Sequence, residues 1–374
     1  MNTNLSKEQL IYPNKLFYIT KATLFQFVFL ILSFIVFFNA DDGFSYDYQY
    51  YTLYIKQISE SSIVALNNNR FGLYVNLEYS TGGIELGFVL LIKLISFFFE
   101  SPETIYGICA TLSLYLKSRV MFFFKIKWGW VLPILLYSII LLESNALRSG
   151  ISLSFFLLSI QFFSQKKYFL IPFCWLISLS LHLQAFYFVF LFFVFIIISY
   201  FDLLNKRWFL ILSIIASLSS GMLISKFLQI SGSDKLITYA LKGSESGGFN
   251  VVSLLSLITL LWVSLLNIKN ISRKALPVID RSLYSGLVLL SLSTLSIYIF
   301  LTSVAVIGDR LWQWGFIIFC FTYFGFFQRK NFILSKWLVL SCLLVNLVNI
   351  TIRYPLSNFL YPILPYINLS NSLN

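Results

Sequence analysis

One histidine in 374 residues excludes a metal centre of clustered imidazoles, because such a site needs several nitrogen donors converging on one ion. The four cysteines, Cys109, Cys174, Cys320 and Cys342, stand far apart in apolar stretches without paired C-x-x-C spacing. They read as small buried hydrophobes, not as disulfides or metal ligands. No metal and no cofactor are expected. Charge is scarce at 11% of residues, and acids are scarcer than bases, 15 against 27. No soluble core is built from so little polar surface. A visible internal repeat is also lacking, which argues against the inverted-repeat transporter folds. The Lys-rich N-terminus is not followed by a small-residue cleavage site, so the first apolar run reads as a retained anchor.

What the chain has is apolar length. It is 58% hydrophobic and 19% aromatic, with mean hydropathy +0.82. A spanning helix needs ~20 mostly apolar residues to cross ~30 Å of hydrocarbon. About eleven such runs occur, at roughly 17–39, 102–120, 128–145, 147–164, 168–183, 184–201, 208–228, 250–268, 284–304, 308–327 and 333–352. The stretch 168–201 would rise ~51 Å as one helix, so it is divided at Leu181-His182-Leu183-Gln184, its only strongly polar point. The expectation is an all-α, polytopic integral membrane protein, one transmembrane domain over 1–374 with about 11–12 transmembrane helices. Two larger loops, 40–83 and 229–249, connect them on one side.

Basic clusters orient the spans, because Lys and Arg are retained on the cytoplasmic side. The clusters are Lys7/Lys15/Lys21, Lys117/Arg119/Lys125/Lys127, Lys166/Lys167, Lys206/Arg207, Lys269/Arg273/Lys274/Arg281 and Arg329/Lys330/Lys336, and they hold 18 of the 27 cations. This places the N-terminus inside and both larger loops outside. The net charge of +12 then faces anionic lipid and carries no implication of nucleic acid. Segment 84–101 departs from the scheme. Its apolar part, 84–99, is short and carries Glu85 and Lys93. A single crossing there would invert every downstream sign, so it reads as a re-entrant or interfacial helix, with a twelfth span as the alternative. Glu85 and Lys93, eight apart, would form a structural pair.

The cations left outside carry the chemistry. Arg148 and Arg310 begin spans, Arg353 ends the last, and Arg70 lies in the first loop. Such residues work against the positive-inside bias and call for a partner or an anionic ligand. Arginine also presents a planar fork to phosphate oxygens, and Arg148 and Arg310 sit at helix N-termini, where the helix dipole favours an anion. The physical expectation is a lipid pyrophosphate bound at the outer surface. The plainer alternatives are local neutralisation of Arg148 by Glu143 and of Arg310 by Asp309, and snorkelling of Arg353. His182, at the helix break, is either a hydrogen-bonded structural residue or a general base. The first loop adds Asp47, Tyr48, Tyr51 and Glu78, and its Tyr48–Ile63 stretch fits an amphipathic surface helix. Mid-span positions hold almost no ionisable groups under this scheme.

Five motifs in order resemble those of the EpsG/Wzy-type polysaccharide polymerases of bacterial envelopes. They are Asp47-Tyr48 with Tyr51; Glu85-Leu86-Gly87-Phe88, similar to E-P-G-[FY]; Ala146-Leu147-Arg148-Ser149-Gly150-Ile151, similar to LRQG-[IL]-A; Leu181-His182-Leu183-Gln184-Ala185, similar to FHxSA; and Asp309-Arg310-Leu311, similar to [DE]-R-[LI]. Leu86, Ser149 and Gln184 depart from the pattern, where the family has proline, glutamine and a small serine. The resemblance covers about residues 17–327. It implies a GT-C-like fold in the bacterial cytoplasmic membrane, and an enzyme that polymerises undecaprenyl-pyrophosphate-linked oligosaccharide units at the periplasmic face. A chain-length-regulating co-polymerase is implied as partner. In that scheme Arg148, Arg310, Arg353 and Arg70 bind pyrophosphate, and His182, Glu85 or Asp47 deprotonates the acceptor hydroxyl. Tyr48, Tyr51 and Glu78 contact sugar. The competing readings are an O-antigen ligase, which changes only the acceptor, and a lipid-linked oligosaccharide flippase, which needs polar groups through the full bilayer depth.

Overall fold

A computed structural model describes residues 13–38, 40, 47–61, 74–75, 84–200, 254–256, 258–263, 283–284, 286–294, 305–326 and 333–353. The described part is almost entirely helical. The helices are α1 (Pro13–Phe38), α2 (Tyr48–Glu60), α3 (Leu86–Ser96), α4 (Pro102–Phe123), α5 (Trp128–Ser138), α6 (Leu147–Ser164), α7 (Leu170–Leu181), α8 (Ala185–Tyr200), α9 (Ala305–Phe326) and α10 (Ile333–Arg353). Helical segments also cover most of 254–263 and 283–294. The apolar runs at 17–39, 102–120, 147–164, 308–327 and 333–352 each coincide with one of these helices. The run at 208–228 and the loop at 229–249 lie outside the described residues. Among those described, α6 is long and apolar enough to cross a bilayer by length and composition, and it is mostly buried within the protein.

Helix α6 is the centre of the bundle, between α4 and α7. It can be approached closely because its inward positions are small. Ser152 Oγ donates to the Ser178 carbonyl at 2.8 Å, and Ser178 Oγ donates back to the Ser152 carbonyl at 2.9 Å. Ser154 Oγ donates to the Ser113 carbonyl of α4 at 3.0 Å. Small residues that let backbones approach, joined by hydroxyl hydrogen bonds, are the usual adhesive between helices in an apolar medium. Trp314 of α9 completes the centre, donating its indole N–H to Ser149 Oγ at 2.7 Å.

Local chemistry sets the helix ends. Ser101 caps α4 by accepting from the Thr104 amide at 3.3 Å, with Pro102 at the first helical position and Glu103 in the first turn. Helix α7 stops at Leu181, where His182 takes an extended backbone (φ −159°, ψ 120°), and α8 starts three residues later. The division expected at 181–184 is therefore present. Lys166 closes α6 with φ 60°, a left-handed residue where glycine is usual, and the Lys167 amide bonds back to the Phe162 carbonyl at 2.9 Å.

Segment 84–101 gives an 11-residue helix, α3, ending in a turn at Phe97 and Phe98. It rises only ~16 Å, half a bilayer. Ahead of it, Ile84–Glu85 pairs antiparallel with Tyr74–Val75 in a two-residue ladder, a small departure from an all-helical chain. The amphipathic stretch 48–63 is helical as α2 over Tyr48–Glu60, which buries Tyr48, Tyr51, Ile55 and Ile58 along one stripe.

Three charge assignments need correcting. Glu85 and Lys93 do not pair, because Glu85 precedes α3 and turns back toward other helices. Lys93 instead donates its ammonium to the Ser59 carbonyl at 3.0 Å and to the Ser61 carbonyl, closing the C-terminal end of α2. Lys117 does not belong to a solvated basic cluster. It lies fifteen residues beyond Pro102, ~22 Å along α4, with no exposure, and pairs with the equally buried Glu143. Glu143 thus neutralises Lys117, not Arg148. The interior holds a complete ion pair where the apolar composition had argued for none.

Candidate functional site

The distant motifs meet at Glu85. One carboxylate oxygen, Oε2, accepts from the Arg148 guanidinium. The other, Oε1, lies 2.9 Å from Nδ1 of His182 and accepts the Leu183 amide at 3.3 Å. Three elements therefore converge on one carboxylate: the strand end before α3, the first turn of α6, and the break between α7 and α8. Gly87 permits the approach. A Cβ at that position would lie 2.2 Å from Ser180 Oγ and 2.6 Å from the Ser180 carbonyl carbon, so any larger residue would hold α3 away from α7.

The electrostatics follow from this geometry. Burial pushes the Glu85 carboxyl up, but the His182 hydrogen bond and the Arg148 charge together outweigh it and hold the group well below the usual carboxylate range. Glu85 is therefore an acceptor on both oxygens, and the proton between it and His182 sits on Nδ1. A neutral ring with Nδ1 protonated keeps its lone pair on Nε2. That atom faces Gln184 Oε1 at 3.2 Å, while Gln184 Nε2 has no partner; turning the amide over brings its N–H group to the imidazole lone pair and satisfies both nitrogens.

Arg148 is held on its other flank by Tyr51, whose hydroxyl lies 3.5 Å from Nε and whose ring centroid is 6.0 Å from the guanidinium carbon. Tyr51 and Tyr48 are themselves buried, packed edge-on against Tyr106 with centroids 6.2 and 4.9 Å away. Tyr51 thus flanks the arginine, and Tyr48 backs it through Tyr106. Asp47 precedes α2, and its carbonyl accepts the Tyr51 amide at 3.0 Å. Burial raises its carboxyl above the usual value, against the pull of Arg310 and Arg148. The Arg310 charge acts on Asp47 from the first turns of α9, without a direct bond to the cluster among the described residues.

Of the residues singled out from sequence, Tyr51, Glu85, Arg148 and His182 are in direct contact; Tyr48 packs behind them on Tyr106, and Asp47 and Arg310 bear on the cluster through their charges alone. Arg70, Glu78 and the side chain of Arg353 lie outside the described residues. Tyr106 and the Leu183 amide had no signal in the sequence. Gln184 had one, its departure from a small serine. Among the described residues no cluster of three or more His, Cys, Asp or Glu side chains is arranged to hold a metal ion. The cluster instead presents a guanidinium and an oriented imidazole on one carboxylate, groups suited to binding an anion and moving a proton.

A model of the EpsG family matches residues 22–368, nearly the whole chain. No curated protein and no solved structure matches it.

Proposed function

The chain belongs to the EpsG family, and from that premise we propose that it is a membrane-embedded polymerase of polyprenyl-pyrophosphate-linked oligosaccharides. Membership supports a membrane protein of polysaccharide assembly. The finer reading is that it acts in the bacterial cytoplasmic membrane as a polytopic protein, with its active face in the periplasm. Its donor is a growing glycan on undecaprenyl pyrophosphate, and its acceptor is the next lipid-linked repeat unit. A chain-length-regulating co-polymerase is the expected partner.

The observation that carries the reading is the shared carboxylate, with Arg148 on one oxygen of Glu85 and His182 on the other. In the proposed step an acceptor hydroxyl attacks the anomeric carbon of the donor. The new glycosidic bond forms as the bond from that carbon to the phosphate oxygen breaks. The hydroxyl proton passes to His182 Nε2, and the lipid pyrophosphate departs with one additional negative charge. Arg148 and Arg310 stabilise that charge as it develops, which is where fixed donors contribute most. Glu85 is assigned a different role from base: it fixes the imidazole tautomer and orientation. Gln184 lies at the nitrogen where the acceptor hydroxyl would arrive.

Lys117 and Glu143 place two ionisable groups within the bundle, as a translocation path would require. Both are nevertheless sealed, with no side-chain exposure, and a sealed pair supplies no aqueous path. The test is complementation of cells lacking their own copy, with membrane abundance measured by blotting. Wild type is expected to restore a ladder of long glycans, and Arg148→Ala only single repeat units at equal abundance. Loss of single units from the outer surface in the deletion strain would replace polymerisation with export.

A further inference from the structure

The buried pair Lys117–Glu143 takes no direct part in the proposed chemistry, yet it is hydrogen-bonded on every side. The Lys117 ammonium donates to Glu143, to Ser138 Oγ at 2.8 Å and to Ser113 Oγ at 3.2 Å. Glu143 accepts in turn from Ser138 Oγ at 2.8 Å and from Ser113 Oγ at 2.7 Å. Ser113 Oγ also lies 2.9 Å from Ser154 Oγ of α6. Such a pair is weak evidence of a stabilising device, because replacing a buried ion pair with apolar residues of similar volume is often neutral or stabilising. Its location points to geometry.

Glu143 is the last residue of a π-helical turn, Ile139–Glu143, that extends α5. Such wide turns are rare and recur at functional sites. The carbonyls it splays are taken by side chains: Ser144 Oγ donates to Ile139 and Ile140 at 2.6 and 2.8 Å, and Asn145 Nδ2 donates to Ile140 at 2.6 Å. Only Ser144, Asn145 and Ala146 separate the turn from α6, whose second residue is Arg148. The Tyr106 hydroxyl donates to the Glu143 carbonyl at 2.6 Å, and its ring packs on Tyr51, the tyrosine that flanks Arg148. Gly150 fits closely as well, since a Cβ there would lie 2.9 Å from Glu143 Oε1.

We propose that Lys117 and Glu143 are positioning residues that lock the π turn, and through it and Tyr106 set the Arg148 guanidinium against Glu85 and the donor pyrophosphate. The assignment rests on reading Arg148 as a pyrophosphate ligand. A displacement of ~1 Å at a catalytic group can lower a rate about 100-fold, so the pair acts on rate more than on folding.

The test compares wild type, Arg148→Ala, the double variant Lys117→Met/Glu143→Met and the exchange Lys117→Glu/Glu143→Lys. Each is measured for membrane abundance, thermal midpoint, glycan polymerisation, and binding of farnesyl pyrophosphate to protein purified in detergent. The apolar double variant is expected to keep wild-type abundance and midpoint while polymerisation falls about 10–100-fold and probe binding weakens. The exchange recovers part of the loss. Wild-type polymerisation in the double variant, with Arg148→Ala inactive, overturns the positioning role alone. Full activity in Arg148→Ala overturns the pyrophosphate reading and this assignment with it. If the double variant does not accumulate, Ser138→Ala, which removes one partner of each charge, decides: unchanged rate and probe binding overturn the proposal, and a loss at equal abundance supports it.

Discussion

His182 Nδ1 lies 2.9 Å from Glu85 Oε1, and the same oxygen receives the Leu183 amide from the next residue of the helix break. The break between α7 and α8 is thus tied to the start of α3 by two donors from consecutive residues. That arrangement fixes the imidazole in rotation as well as in position, and it makes the first prediction.

Glu85→Gln keeps the shape but withdraws the negative charge that holds Nδ1–H. The maximal polymerisation rate is expected to fall about 10²–10⁴-fold, the usual worth of an aligned general base. The pH profile moves as well. The Glu85 carboxylate beside Nδ1 favours the protonated ring. Wild type loses activity on the acid side as Nε2 becomes protonated and can no longer accept the hydroxyl proton. Without the Glu85 charge the acid limb shifts to lower pH. A rate–pH profile in membrane vesicles measures both, and an acid limb that stays in place excludes His182 as the titrating base.

Tyr51 supports a quantitative contrast. Its hydroxyl, at 3.5 Å from Arg148 Nε, sits at the outer limit of a hydrogen bond. Tyr51→Phe is expected to change polymerisation by less than about threefold, under 1 kcal/mol. Tyr51→Ala removes a buried ring from the Tyr48–Tyr106–Phe88 cluster and is expected to cost about 3–5 kcal/mol of stability. Polymerisation assays and thermal melts in detergent separate the two.

Gly87→Ala is expected to lower polymerisation strongly while leaving the rest of the bundle intact. The added methyl meets the Ser180 backbone at 2.6 Å as well as its hydroxyl, so α3 must move, at ~1–3 kcal/mol for overpacking. Ser180→Ala should not restore the double variant, because the backbone clash remains. Restoration would show that the hydroxyl alone sets the spacing.

Lys93→Met removes the donor that closes α2 at the Ser59 and Ser61 carbonyls. Charged hydrogen bonds of this kind contribute ~1.5–3 kcal/mol. The expected outcome is faster amide hydrogen exchange over 57–61 with little change at the Glu85 cluster, read by mass spectrometry.

Much of this was readable from residues alone, and the reasons are physical. Helix positions followed from apolar length, and the break at His182 followed from the impossibility of 34 residues spanning once. The candidate cluster was legible because an arginine or a lone histidine in an apolar chain is expensive unless partnered. What stayed hidden was the pairing. Lys117 carries the same local composition as its neighbours Arg119 and Lys125, and only the packing of α4 against α5 and α6 shows that it points inward. Glu85 and Lys93 look suitably spaced on a helix, but Glu85 lies just outside it, facing a different set of neighbours. Partner choice across ninety-seven positions is a property of tertiary packing, which no local pattern encodes.

Each of the four cysteines is buried, Cys109 and Cys320 completely. A membrane-impermeant maleimide should consequently leave the native protein unlabelled, without any prior removal of thiols. Single cysteines introduced at Arg70 or Lys269 would then report on which side of the bilayer each loop lies, against a silent background.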